Sequence, residues 1–183
     1  MPPADFQSQP NVLQQAQQQW PILNRLPLSY KYTPRTDRGY LEAWPPGETG
    51  SKDAPRPKEF APDLYGIEVY KSNTRPIDVL GDVVSHFMVK SDPRIKGYYE
   101  QFVASLSPQQ EQRLQQQYQH AQQHEGEKRP YTQWREQSGL PAYFRGYPFQ
   151  QWPQAQTQSF YTPQQRQMLD SMMSYLSQQE LSR

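Results

Sequence analysis

The chain has 183 residues, of which 34% are hydrophobic, 20% are charged and none is cysteine, and its net charge is +1. The lack of cysteine excludes disulfides, thiolate chemistry and cysteine-containing zinc sites, and the near-neutral charge argues against nucleic acid as the main partner. Nineteen prolines and many glutamines replace apolar residues, yet aromatic residues make up 13% of the chain. This composition predicts a modest core and extended segments whose rings dock onto the same chain or a partner.

Residues 1–73 are predicted to form an extended, proline-rich arm. A short helix is expected at 11–20, with Asn11 as its cap and Pro21 as its stop. The alternating segment NRLPLSYKYTPRTD that follows contains Pro27 and predicts at most an edge strand or an extended peptide. Two more alternating pieces, at 40–44 and 66–70, predict short strands that pair as a ribbon across a loop rich in proline and glycine.

Residues 74–183 are predicted to form a helical domain of four to five helices, so the fold class is mainly α. The first helix opens at Pro76 and carries a continuous apolar stripe, the second follows the cap Asp92, and the third begins with Ser107–Pro108. A short helix is expected from Thr132, and the last one opens at Pro163. The starts SPQQEQRL and TPQQRQML look alike, which we interpret as one capping pattern used twice rather than as a duplicated domain.

The first of these helices raises the question of a metal or acid–base site. Asp78, Asp82 and His86 are spaced by four, so they share one face of a helix with Lys90. Carboxylate and imidazole ligands at this spacing suit zinc, manganese or iron. The alternatives are a solvated polar face opposite the apolar stripe and a buried His–Asp contact.

No other pattern in the chain predicts an enzyme. The motifs GxSxG, GxGxxG and the P-loop are absent, and Glu42 and Glu48 are interpreted as surface charges. We therefore predict a non-enzyme without a cofactor. No apolar run approaches 18 residues, so no membrane span is predicted, and the N-terminus lacks the pattern of a signal peptide, which predicts cytosolic synthesis.

Aromatic residues supply the candidate interaction surface. The arm contributes several rings, and the segment FRGYPFQQW and its neighbours contribute more, together with one arginine. Two interpretations remain open for the second group, since such rings close a core or bind a partner. The predicted interaction residues are Trp20, Tyr30, Tyr32, Trp44, Tyr143, Phe144, Arg145, Tyr147, Phe149 and Trp152.

Three segments carry a resemblance to known proteins. At PRPKEF, GIEVYKSNTRPIDVLGDVVSHFMVKSDP and GLPAYFRGYPFQQWP, the chain resembles proteins encoded by tailed phages and prophages, over roughly residues 39–180. The resemblance implies a phage context and synthesis in the bacterial cytoplasm, and it carries no catalytic motif.

These observations predict a minor structural protein of a tailed-phage particle. It would bind neighbouring virion subunits, or further copies of itself in a ring or lattice, through its arm and aromatic surfaces. The alternatives are a phage accessory protein that binds a host factor and a metal-dependent phage enzyme that uses Asp78, Asp82 and His86.

Overall fold

The computed structural model describes residues 11–151 and 160–178, which divide into two compact units. The first unit contains residues 11–87 and 175–178, and the second contains residues 88–151 and 160–174. The fold is mainly α with a small three-stranded sheet, which confirms the predicted fold class.

The first unit is built around the sheet. Its strand order is β1-β3-β2, with β1 parallel and β2 antiparallel to the central strand, all of whose residues are buried. Its elements are α1 (Val12–Gln19), a 3₁₀ turn (Pro21–Arg25), β1 (Leu28–Tyr32), β2 (Leu41–Trp44), β3 (Tyr65–Val69) and α2 (Pro76–Val83).

Residues 11–73 are therefore packed into this unit, which corrects the prediction of an extended arm. Leu23 has no exposed surface, and Val12, Leu13 and Ala16 of α1 are buried. The proline-rich sequence predicted at most an edge strand or an extended peptide here, and it could not predict that β1 pairs with β3, more than thirty residues later. The division predicted between residues 73 and 74 lies instead between Phe87 and Met88, and the predicted arm residues 1–10 lie outside the described residues.

One arginine organises the irregular loop between β2 and β3. The guanidinium of Arg56 donates hydrogen bonds to backbone carbonyls on both sides of the loop, at distances from 2.7 to 3.3 Å. A planar guanidinium has five N–H donors in a fixed fork, so one side chain can hold several chain segments together. The accepting carbonyls belong to Trp44, Pro45, Glu48, Phe60, Ala61 and Leu64.

The second unit is helical. Its first residue, Met88, ends a π-helical turn (Val84–Met88), and α3 (Val89–Ser91) follows. Capping side chains start the longer helices where the sequence predicted them, at Asp92 and Ser107. The remaining elements are α4 (Pro93–Ala104), α5 (Pro108–His124), α6 (Tyr131–Trp134), a second π-helical turn (Arg135–Gly139), α7 (Leu140–Gly146) and α8 (Pro163–Ser177).

The two similar helix starts meet each other inside this unit. Gln110 and Gln165 each close a capping box, with Ser107 and Thr162 respectively. The two side-chain amides also pair, with N–O distances of 2.8 and 3.0 Å. Gln110 Nε2 also donates to the backbone carbonyl of Phe160, and Gln165 Nε2 donates to that of Ser105. Each of these carbonyls lies two residues before the cap of the other helix. The repeated pattern SPQQ and TPQQ thus builds a pseudo-twofold pair, which we call the glutamine clasp.

Candidate functional sites

The predicted ligand row on α2 does not converge on a metal. Asp78 accepts the backbone N–H of Arg75 at 2.9 Å and pairs with its guanidinium, so it caps the helix. Asp82 is 6% exposed and accepts the hydroxyl of Tyr65 at 3.2 Å. His86 Nε2 lies 3.7 Å from the Asp82 carboxylate. Among residues 11–151 and 160–178, no group of three or more histidine, aspartate or glutamate side chains is placed to hold a metal ion.

Asp82 is buried and His86 is half-buried, so the arrangement lies between the two alternatives drawn from the sequence, a solvated polar face and a buried His–Asp contact. The π-helical turn that follows Val83 carries Ser85 and His86, and the hydroxyl of Ser85 donates to the carbonyl of Asp82. A buried carboxylate needs hydrogen-bond donors to offset its lost hydration, and the Tyr65 hydroxyl is such a donor for Asp82. Because Tyr65 belongs to β3 and Asp82 to α2, this bond joins the sheet to the helix.

A second carboxylate cluster lies on the other face of the sheet and was missed by the sequence analysis. Glu68 is only 8% exposed although it sits in the middle of β3. Thr33, Trp44 and Tyr70 donate hydrogen bonds to its carboxylate, at 2.9, 3.3 and 2.9 Å. The available signal was an acidic residue between Ile67 and Val69 in an otherwise apolar strand.

Tyr70 stands between two carboxylates. Glu42 of β2 lies directly opposite Glu68 in the antiparallel register, and the Tyr70 hydroxyl is 2.8 Å from Glu42 and 2.9 Å from Glu68. Arg38 pairs with the Glu42 carboxylate at 3.0 Å, which reduces the repulsion expected between facing acids. Burial, followed by the hydrogen bonds to Glu42 and Glu68, raises the pKa of Tyr70 well above its ordinary value, because a phenolate there would face two carboxylates.

The substitution Tyr70→Phe should reveal this interaction in the pH dependence of stability. The folded protein keeps Tyr70 protonated above about pH 10, where an unfolded tyrosine ionises, so its contribution is complete below that pH and is lost as the pH rises. Urea unfolding measures the free energy of unfolding between about pH 8 and 11.5. Its decrease with pH should be less steep in the variant than in the wild type, by at most about 1.4 kcal/mol per pH unit. At neutral pH the variant should be about 1–3 kcal/mol less stable, because the two carboxylates lose the single hydroxyl proton that they share. Equal alkaline slopes would contradict the proposed protonation of Tyr70.

The predicted interaction rings fall into two groups. Four of them are 2% exposed or less, so they contribute to the interior and not to a binding surface, which corrects their predicted role. The physical reason is hydrogen bonding and ring packing: Trp44 Nε1 donates to the carboxylate of Glu68, Phe144 packs edge-on against Tyr99, and the hydroxyl of Tyr161 donates to the carbonyl of Tyr143. These four are Trp44, Tyr143, Phe144 and Phe149.

The other predicted interaction residues reach the surface. Trp20, Tyr30 and Tyr32 of the first unit are half-buried, as are Arg145 and Tyr147 of the second unit. The Tyr147 hydroxyl donates to Asp170 at 3.3 Å. Trp152 lies outside the described residues. Partial exposure is compatible with partner binding by these five, and it leaves that role a prediction.

The most distinctive exposed surface is a row of glutamines on α5. Gln110, Leu114 and Ala121 are the buried positions of this helix, and the opposite side carries exposed Gln112, Gln116, Gln119 and Gln123. We call these four the glutamine ridge. Their spacings of four, three and four residues are those of a helix–helix seam. The ridge contains no charge, although exposed helix faces ordinarily carry many charged side chains.

No family model, no curated protein and no solved structure matches the chain. Within residues 11–151 and 160–178, no helix is both long enough and apolar enough to cross a membrane.

Proposed function

We propose that this protein is a structural component of a tailed-phage particle that binds neighbouring subunits. The proposal rests on the resemblance of residues 39–180 to phage-encoded proteins and on one structural observation, the glutamine ridge. The protein would be made in the bacterial cytoplasm and carried in the virion.

The glutamine ridge favours a protein partner for a physical reason. Four amide side chains on a 17-residue helix form a surface about 16 Å long that donates and accepts hydrogen bonds without net charge. Such a surface can be covered by a partner without the desolvation cost of burying ions. A basic surface, which nucleic acid would require, is absent from the ridge.

The hydrogen-bonded acids support a binding role over catalysis. Asp78 caps a helix, Asp82 holds Tyr65, and Glu68 accepts three side-chain donors. A general acid or base has to reach a substrate proton, and these carboxylates are engaged in contacts that hold the fold together.

Particle composition tests this function. Mass spectrometry of purified virions should detect the protein at a constant copy number per particle. Its absence from particles, together with recovery from infected cells in complex with a host protein, would favour the accessory-protein alternative and would contradict the proposal.

Charge substitutions test the ridge itself. The triple variant Gln112→Glu, Gln116→Glu, Gln119→Glu adds three like charges without changing side-chain shape, so we expect its incorporation into virions to fall by about tenfold or more while its melting temperature stays near that of the wild type. The matched control carries Gln101→Glu, Gln164→Glu and Gln167→Glu, which are exposed on other helices, and should be incorporated normally. Equal incorporation of both variants would exclude the ridge as the contact.

A further inference from the structure

Two histidines lie together near the end of α5. His120 and His124 are both exposed and are four residues apart, so they occupy successive turns on one side of the helix. Their ring centroids are 4.5 Å apart and the ring planes are tilted by 40°. Neither the fold nor the glutamine ridge uses these rings.

The separation of the rings is compatible with a shared metal ion. A transition metal lies about 2.0–2.1 Å from an imidazole nitrogen, which places it about 3.2 Å from the ring centroid. Two rings that bind one metal at angles between about 90° and 109° then have centroids about 4.5–5.2 Å apart. The observed 4.5 Å falls at the short end of this range.

We propose that His120 and His124 form a two-histidine chelate for a divalent transition metal. The same spacing on a helix supplies two zinc ligands in metalloproteases, so the backbone geometry is suitable. Because no group of three or more ligands occurs among the described residues, these residues contribute two imidazoles, and water completes the coordination.

The imidazole ligands determine which ions the site would select. Imidazole ligands favour Cu²⁺, Ni²⁺ and Zn²⁺ and bind Mg²⁺ poorly, so the first-row order predicts the highest affinity for Cu²⁺. The groove beside His120 is lined by one acid and one base, Glu125 and Arg113, and by neutral or aromatic side chains. A bound ion would clamp the last two turns of α5 and so stabilise the folded state by mass action.

Calorimetric titration of the full chain with Ni²⁺, Zn²⁺ and Cu²⁺ tests the proposal. We expect one ion per chain, no heat with Mg²⁺, and an increase in melting temperature that depends on metal concentration. His120→Gln and His124→Gln should each weaken binding by about tenfold or more, because one ligand cannot chelate.

His86, the third histidine of the chain, provides the matched control. It belongs to the first unit and contacts Asp82, so His86→Gln should leave the stoichiometry and affinity unchanged. Absence of binding below about 1 mM metal, retained affinity in His120→Gln, or loss of binding in His86→Gln would each overturn the proposal. These outcomes do not depend on particle assembly, so the metal site and the proposed virion role can fail separately.

Discussion

Replacing Arg56 by methionine is expected to lower the free energy of unfolding by about 4–5 kcal/mol, one of the largest effects available to a single substitution in this chain. The guanidinium donates hydrogen bonds to the carbonyls of six residues between positions 44 and 64. Methionine removes all of these donors while it keeps much of the side-chain volume. The carbonyls that cannot reach water would lose their partners. Urea unfolding followed by intrinsic fluorescence measures the change.

The conservative substitution Arg56→Lys separates charge from geometry. Lysine keeps the positive charge but has three donors on one nitrogen, so it can satisfy at most half of the carbonyls and should cost about 2–3 kcal/mol. Protease Glu-C should then cut faster at Glu48 and Glu59, which are exposed in this loop. Arg35→Lys is the control, because the Arg35–Asp37 pair is a surface ion pair and its replacement should not move the unfolding midpoint. An Arg56→Met protein with wild-type stability and cleavage would refute the role of this side chain.

The loop also shows where prediction from this sequence stops. The composition of residues 45–64 correctly predicted an irregular loop between two strands, because proline and glycine oppose regular structure. It could not show that Arg56 donates hydrogen bonds to carbonyls at both ends of that loop, because every residue has a backbone carbonyl and the sequence does not indicate which of them accept. Helix starts at Asp92 and Ser107 were predictable because a cap acts on the residues directly after it.

The candidate sites follow the same division between local and long-range information. Asp78 and Asp82 lie on α2 and His86 lies on the π-helical turn after it, whereas the hydrogen-bond partner of Asp82 is Tyr65, which comes from β3. Glu68 was missed because its donors come from residues 33, 44 and 70 and meet only when the sheet forms. The likeness of SPQQ and TPQQ was visible in the sequence, whereas the pairing of Gln110 with Gln165 depends on how the helices pack.

The substitution Gln165→Glu is expected to destabilise the protein by about 3 kcal/mol at pH 7 through loss of the clasp. Glutamate keeps the oxygen that accepts the N–H of Thr162, and glutamate is a preferred residue at this position of a capping box, so the helix start is preserved. It removes the Nε2 donor that bonds Gln110 and Ser105, and it places a carboxylate against their oxygens. Gln165 is 1% exposed, so water cannot replace these bonds.

The sign of the pH dependence distinguishes this mechanism from a general packing defect. A glutamate at position 165 would face the carbonyl oxygens of Ser105 and of the Gln110 side chain, which can only accept hydrogen bonds, so its pKa in the folded state should lie above that of the unfolded chain. The folded variant then binds more protons than its unfolded chain does. Its loss of unfolding free energy relative to the wild type should therefore be smallest below about pH 4 and should grow as the pH rises toward 7. Gln164→Glu, one residue earlier and exposed, is the matched control and should stay within about 0.5 kcal/mol of the wild type at every pH. Urea unfolding at about pH 4, 5.5 and 7 measures both variants, and a deficit in Gln165→Glu that is constant with pH would exclude a carboxylate held against the clasp oxygens.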